Sequence, residues 1–138
     1  KLQTNKVKFA LKVFDFIHSL DNEKLAKKLS VELKKINKNI KFFIQVNIGN
    51  ESQKSGIKEE NLIDFFNYCV ELNLDVVGLM CIPPINQDPL PFFEKMQYLN
   101  KKINRNQLSM GMSSDYLLAA KNNSTYLRIG TNIFGQRD

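Results

Sequence analysis

Two short stretches near the end of the chain combine an apolar run with a glycine and a hydroxyl residue. The first, LSMGM, contains Gly111 and is followed by Ser113, and the second, TYLRIGTNIFG, contains Gly130 and Thr131. In parallel α/β proteins, backbone N–H groups at a helix N-terminus bind phosphate, and glycine lets the phosphate approach closely. With a helix predicted from Ser114 to Lys121 between them, the two stretches predict a phosphate cradle built from two strand-to-helix turns.

An arginine, Arg128, lies within the second apolar run and shares a strand face with Tyr126 and Gly130. A buried cation is costly unless it is paired or hydrogen-bonded. Two interpretations remain open: an ion pair with an inward aspartate such as Asp15 or extension of the side chain to the sheet edge, and a contact with a bound ligand. We favour the ligand contact.

Several other residues could contribute to a site, although each also has a purely structural interpretation. Lys54, in the loop SQKSG after a predicted strand, is either a positioned cation or a surface lysine. His18 ends another predicted strand, and a lone histidine is more often structural than catalytic. Met80, Met110 and Met112 are compatible with a core. No Ser-His-Asp arrangement, metal-ligand cluster or carboxylate pair has persuasive spacing.

The composition limits the possible classes of protein. The 138 residues suffice for one domain, and no run approaches the roughly 20 apolar residues of a membrane span. The net charge of +6 admits nucleic-acid binding, but the lysines are spread over predicted helices, which favours solvated helix faces. Cys69 and Cys81 lack CxxC spacing, so we expect reduced, buried thiols and a cytoplasmic protein.

Apolar runs alternate with amphipathic segments along the whole chain. We predict strands that start near residues 13, 40, 74, 107 and 125, with helices before and between them. The second strand, Ile40 to Ile48, should place Phe42, Ile44 and Val46 against helices, whereas Gln45 and Asn47 should face inward. A helix after Val13–His18 should begin at Ser19 or Asp21, and Thr4 should cap the first helix.

Regular βα units with buried strands imply a parallel sheet, either a (β/α)₈ barrel or an open doubly wound sheet. A barrel needs eight units and about 250 residues, whereas this chain has five predicted units. In such barrels the loops after strands 7 and 8 frequently bind phosphate. If the cradle is that corner, the chain contains about strands 4 to 8 of an incomplete TIM barrel.

Six segments in order resemble the pyridoxal-phosphate homeostasis proteins, single-domain barrels related to the N-terminal domain of alanine racemase. The resemblance covers essentially the whole chain, and LSMGMS followed by RIGT and FG-x-R is its most specific part. The segments are LQTNK (Leu2–Lys6), IHSLD (Ile17–Asp21), QVNIGNESQKSGI (Gln45–Ile57), GLMCIPP (Gly78–Pro84), LSMGMSSD (Leu108–Asp115) and RIGTNIFGQRD (Arg128–Asp138).

The resemblance implies a PLP-binding (β/α)₈ barrel that buffers or delivers pyridoxal 5'-phosphate (PLP) and turns over no substrate. It implies that Met112 and Ser113 contact the phosphate, that Gly130 and Thr131 supply its other contacts, and that Arg128 faces the pyridine nitrogen. By the same resemblance Lys54 lies near the cofactor, and Asn47 and Met80 line the mouth or wall of the barrel.

One departure from the family pattern is large. The family's Schiff-base lysine and the HFIG run belong to an N-terminal segment that these 138 residues lack. We therefore expect residues 1–138 to be the C-terminal part of one barrel domain, in a longer protein or in need of a complementary segment. The full-length protein should be a monomer, with PLP-dependent apoenzymes as possible acceptors. A PLP-dependent amino-acid racemase is the alternative.

Overall fold

A parallel sheet of five strands forms the centre of the computed structural model, which describes residues 1–135. Helices precede the first strand and connect each strand to the next. The strands are β1 (Phe16–Leu20), β2 (Lys41–Val46), β3 (Asp75–Cys81), β4 (Gln107–Met112) and β5 (Tyr126–Arg128). The helices are α1 (Val7–Val13), α2 (Glu23–Leu33), α3 (Leu62–Glu71), α4 (Leu90–Lys102), α5 (Tyr116–Lys121) and α6 (Thr131–Phe134).

The order of the strands in the sheet is the same as their order in the chain, and every neighbouring pair is parallel. The sheet is curled, so that the rings of Phe16 on β1 and Tyr126 on β5 lie 5.2 Å apart although three strands separate them in the sheet. The predicted fold class is confirmed: the chain forms half of a (β/α)₈ barrel.

Alternating side chains of β2 lie on opposite faces of the sheet, as predicted. Phe42, Ile44 and Val46 are buried in one core with apolar residues of the helices. Phe43 lies on the inner face and stacks on His18 of β1, with ring centroids 4.4 Å apart. The inner face is therefore lined by aromatic and polar side chains and faces the site, whereas the outer face supplies the hydrophobic core.

The beginnings of three elements differ from the prediction. Val13 ends α1 and does not start a strand, and β1 runs from Phe16 to Leu20. Because β1 extends to Leu20, the N-cap of α2 is Asn22, whose side chain accepts a hydrogen bond of 2.9 Å from the Leu25 N–H. Thr4 caps no helix, since it begins the 3-10 turn that leads into α1.

Asparagines follow three of the helices in the left-handed backbone conformation, which a side chain with local hydrogen bonds tolerates. They are Asn73 after α3, Asn104 after α4 and Asn123 after α5, with φ of 57°, 52° and 64°. Both cysteines are free and buried, as predicted. Within residues 1–135 no helix is long and apolar enough to cross a membrane, and no acidic, histidine or cysteine cluster could hold a metal.

Candidate functional site

Five of the predicted site residues line one cleft of about 1270 Å³ at the carboxyl ends of β4 and β5. Its wall also includes Phe134 of α6, which is 85% exposed. In parallel α/β folds, ligands bind at the carboxyl ends of the strands. The five residues are Met112, Ser113, Arg128, Gly130 and Thr131.

The hydroxyl of Ser113 joins the turn after β4 to the turn after β5. Its Oγ accepts hydrogen bonds from the backbone N–H groups of Gly130 at 3.2 Å and Asn132 at 3.3 Å. The side-chain Nδ2 of Asn132 donates in turn to the Ser113 backbone carbonyl at 2.9 Å. An oxygen atom thus already occupies a position where two backbone donors converge, and this arrangement suits a phosphate oxygen as well.

The two glycines of the cradle have different surroundings. Gly111 has φ of +95°, and a Cβ added there would lie 2.6 Å from the Cβ of Ala119 on α5. Gly130 has an ordinary negative φ, and a Cβ added there would meet no atom within 4 Å. The space over Gly130 is therefore open to a ligand, whereas Gly111 is packed against the protein itself.

Arg128 points across the inner face of the sheet and is held by two hydrogen bonds. Nη1 donates to Ser109 Oγ at 2.6 Å, and Nη2 donates to the Cys81 carbonyl at 2.8 Å. Within residues 1–135 no carboxylate forms an ion pair with it; Asp15 instead pairs with Lys38 at 3.0 Å. The ion pair with Asp15 that the sequence left open is therefore absent.

The guanidinium of Arg128 is half-buried, and burial lowers its pKa below the ordinary value. It nevertheless remains protonated at neutral pH, because an arginine in a protein does not lose its proton. Three of its five N–H donors have no acceptor among the described residues. Arg128 therefore presents a positive charge and free donors beside the cleft.

His18 is the second side chain that contacts the Ser109 hydroxyl. Its Nδ1 is 2.7 Å from Ser109 Oγ, and its ring stacks on Phe43 and meets the edge of Tyr126. Burial and the charge of Arg128 lower the pKa of His18 from 6.5 to about 4. The imidazole is neutral at physiological pH, so it acts as a polar neighbour of the site and not as a second cation.

The other three predicted residues, Asn47, Lys54 and Met80, line a separate cavity of about 330 Å³ at the carboxyl ends of β2 and β3. The Asn47 side chain holds the following loop, since it donates to the Glu51 carbonyl and accepts from the Glu51 N–H. Lys54 Nζ pairs with Glu51 at 2.6 Å and donates to the Pro83 carbonyl at 3.2 Å. Lys54 is thus a positioned cation rather than a free surface lysine.

Sequence reasoning missed two residues that shape the cleft. One is Ser109, for which a hydroxyl among the apolar residues of β4 is a usable signal. Asp115 was also missed; its carboxylate accepts a hydrogen bond of 2.6 Å from the Met112 N–H. That contact fixes the turn after β4.

The family model described as alanine racemase, N-terminal domain, matches residues 2–138. The chain belongs to that family. The match includes residues 136–138, where Arg137 of the FG-x-R motif lies outside the described residues. The family assignment agrees with the half-barrel and with the position of the cleft after its last two strands.

Curated relatives of this chain are named pyridoxal phosphate homeostasis protein. The relative from Aquifex aeolicus is 41% identical over 147 residues, which are 99% of this chain and 64% of the relative. The relative from Vibrio cholerae is 37% identical over 99% of this chain and 62% of its own length. The chain therefore spans slightly less than two thirds of these relatives.

Solved structures with the same fold include a protein at about 30% sequence identity. PipY of Synechococcus elongatus without PLP superimposes with a TM-score of 0.88 at 31% identity, over 98% of this chain and 68% of PipY. PipY with PLP bound gives the same TM-score at 29% identity. The arginine decarboxylase of a Chlorella virus, at 13% identity and a TM-score of 0.65, shares the fold alone.

Proposed function

We propose that this chain binds PLP as part of a cofactor-homeostasis protein, which buffers or delivers the cofactor and does not turn over a substrate. The observation that supports this most is that one cleft contains both a half-buried Arg128, which has no carboxylate partner among the described residues, and the Ser113–Gly130 turn, which faces open space. A charged ring ligand with a phosphate is the ligand class that such a pairing would accept. The names of the relatives point to the same ligand.

The phosphate would bind at the end of the cleft formed by the two turns. Met112, Ser113, Gly130 and Thr131 are its proposed contacts, with the hydroxyls of Ser113 and Thr131 as donors, and the open space over Gly130 accommodates it. Within residues 1–135 the Met112 N–H is already bonded to the Asp115 carboxylate and the Gly130 N–H to Ser113 Oγ, whereas the hydroxyls of Ser113 and Thr131 donate no hydrogen bond. Two hydroxyl donors beside open space therefore remain for a phosphate oxygen.

Arg128 would face the pyridine nitrogen of the cofactor. Bound PLP supplies an aldehyde and an electron-withdrawing ring. A guanidinium donates hydrogen bonds and cannot accept or relay a proton, so it keeps the nitrogen unprotonated. An unprotonated ring withdraws electrons weakly, which suits a carrier better than an enzyme that must stabilise negative charge on an amino acid.

Asn47, Lys54 and Met80 would line the wall of the barrel beside the cofactor. Lys54 forms an ion pair with Glu51 and donates to the Pro83 carbonyl, so we propose that it contributes a positive charge near the cofactor and does not bond to it covalently. We propose that residues 1–138 form the C-terminal part of a single barrel domain, and that the covalent lysine belongs to the first three βα units. The mass of the natural protein tests this directly.

PLP binding by the full chain, measured by equilibrium dialysis and absorbance, tests the proposed function. Arg128→Gln should weaken binding about 10- to 100-fold, because a hydrogen bond from a charged donor is lost. Arg105→Gln is the matched control, since Arg105 also donates to a backbone carbonyl, that of Val76, but lies away from the cleft. Absence of PLP binding by the unaltered chain would contradict the proposal.

The family also contains alanine racemase, which makes a racemase-like enzyme the second candidate. Assays with D- and L-alanine on the longest natural form of the protein decide between carrier and enzyme. Turnover above background would favour the enzyme. For the carrier, we propose PLP-dependent apoenzymes as acceptors, a monomeric state and a cytoplasmic location, consistent with two reduced cysteines. Transfer of PLP to an apoenzyme would restore its activity.

A further inference from the structure

A chain of three side chains crosses the inner face of the sheet from β5 to β1. Arg128 donates to Ser109, and Ser109 lies at hydrogen-bond distance from His18. We propose that Ser109 and His18 are positioning residues that fix the Arg128 guanidinium in the orientation it presents to the cleft. The positioning role rests on the proposed PLP site, whereas the hydrogen bonds of the network form within the protein and involve no ligand.

The hydroxyl of Ser109 determines the proton arrangement in the network. Ser109 is fully buried, and its Oγ already accepts a hydrogen bond from Arg128, which is always a donor. Within residues 1–135 the other partner of Oγ is His18 Nδ1 at 2.7 Å. A buried hydroxyl proton needs an acceptor, so the Ser109 O–H donates to His18 Nδ1.

This arrangement defines the tautomer of His18. Nδ1 is the acceptor, so the single ring proton of the neutral imidazole lies on Nε2. If Nδ1 carried a proton as well, two donors would face the Ser109 oxygen and the hydroxyl proton would lose its acceptor. The Nε2–H tautomer of His18 therefore accepts the Ser109 hydroxyl proton and leaves a lone pair of Ser109 Oγ for Arg128.

The groups packed around His18 favour the neutral ring. Phe43 of β2 stacks on it, Tyr126 of β5 meets it edge-on, and Phe16 lies along β1 at 6.3 Å between ring centroids. Arg128 is the charged group whose field acts on it, and it disfavours a second positive charge. Lys1 lines a cavity beside His18 and has the same sign.

The network and the Cys81 carbonyl together fix the guanidinium at two nitrogens, Nη1 and Nη2. Two-point attachment restricts rotation of the guanidinium plane, which lowers the entropy that a ligand must remove on binding. Ser109 and His18 would thus raise affinity for a ligand that meets Arg128 without contacting that ligand themselves.

The first test is nitrogen NMR of the full chain, which contains a single histidine. We expect the Nε2–H tautomer and a His18 pKa well below 6.5, near 4. An Nδ1–H tautomer, or a pKa of 6.5 or above, would overturn the network. This measurement needs no variant and no ligand, so it judges the network even if PLP does not bind.

The second test changes the hydroxyl. Ser109→Ala should release the tautomer preference and raise the His18 pKa, because a donor to the neutral ring is lost. Ser30→Ala is the matched control: it removes another buried hydroxyl, which donates to the Leu72 carbonyl, and should leave His18 unchanged. Ser109→Thr retains the hydroxyl and should restore the wild-type spectrum.

The third test connects the network to the ligand through a PLP analogue that has carbon in place of the ring nitrogen. Ser109→Ala should weaken PLP binding about 3- to 10-fold and leave binding of the analogue unchanged. Equal weakening for both ligands, or no weakening for PLP, would show that Ser109 does not position Arg128. If the unaltered chain binds neither ligand, the proposed function fails, while the NMR result still stands.

Discussion

Gly111 lies near the end of β4 and Gly130 follows β5, and both belong to Gly/hydroxyl segments, but their surroundings differ. Gly111 has a left-handed backbone and is packed against Ala119 of α5. Gly130 has an ordinary backbone and faces open space. The turn after β4 is therefore part of the folded core, whereas the turn after β5 is held mainly through Ser113.

The difference separates two reasons for a glycine in a phosphate cradle. At Gly111 the backbone conformation and the neighbouring helix exclude a side chain, so the requirement comes from the fold. At Gly130 nothing in the protein excludes a side chain, so any requirement comes from a ligand. Substitutions at the two turns should therefore affect stability and binding separately.

Gly111→Ala should have the largest effect. The new Cβ would adopt an unfavourable positive φ and overlap Ala119, and the two costs together lower the free energy of unfolding by about 2–4 kcal/mol. Urea denaturation measures this, with Gly130→Ala as the control. A loss below about 0.5 kcal/mol would show that the turn after β4 can relax.

Lowering the pH should produce the next largest effect on stability, through His18 of β1. His18 has a pKa of about 4 in the folded protein and 6.5 when unfolded, so its contribution is complete above pH 6.5 and is lost as the pH falls towards 4. The loss is about 2 kcal/mol after allowance for partial exposure. Denaturation of His18→Phe across this range should show a flatter profile.

Ser113→Ala should have a moderate effect on stability, and the effect should be confined to the turn after β5. It removes an acceptor from the Gly130 and Asn132 N–H groups, at a cost of about 1 kcal/mol. Both N–H groups lie at the surface and can bond to water, so the loss should be local. Hydrogen exchange of the amides at residues 130–134 should accelerate, while exchange in β4 stays unchanged.

Gly130→Ala should have the smallest effect on stability, below about 0.5 kcal/mol, because the added methyl group meets no protein atom. It should nevertheless weaken the binding of PLP, since the methyl group enters the space proposed for the phosphate. Pyridoxal, which lacks the phosphate, is the control ligand. Equal loss for both ligands would place the phosphate elsewhere.

Much of the fold followed from local regularities. The alternation in β2 predicted which side chains meet the helices, because a strand turns successive residues to opposite faces. The Gly/hydroxyl pairs predicted the residues of the cleft, because parallel strands bring their carboxyl ends to one edge. Element boundaries were less accurate: Ser19, Asp21 and Asn22 can all cap a helix, and only the true end of β1 selects Asn22.

The network on the inner face could not be predicted in this way. His18 and Ser109 are 91 residues apart, and periodicity defines the faces of one element without showing which residues of distant strands meet. The curvature of the sheet decides that contact. For the same reason, the sequence suggested Asp15 as a partner of Arg128, whereas the curled sheet provides Ser109 and the Cys81 carbonyl.

Because strand order follows chain order, the half-barrel is divisible. A cut in the loop between β3 and α4 would divide the sheet into β1–β3 and β4–β5, and a single strand ladder, β3 with β4, would join the two pieces. The pieces would still share a second surface, where Tyr126 meets Phe16 and Phe43. Arg128 would be on one piece and its Cys81 carbonyl on the other, so an intact cleft would itself report that the halves had rejoined.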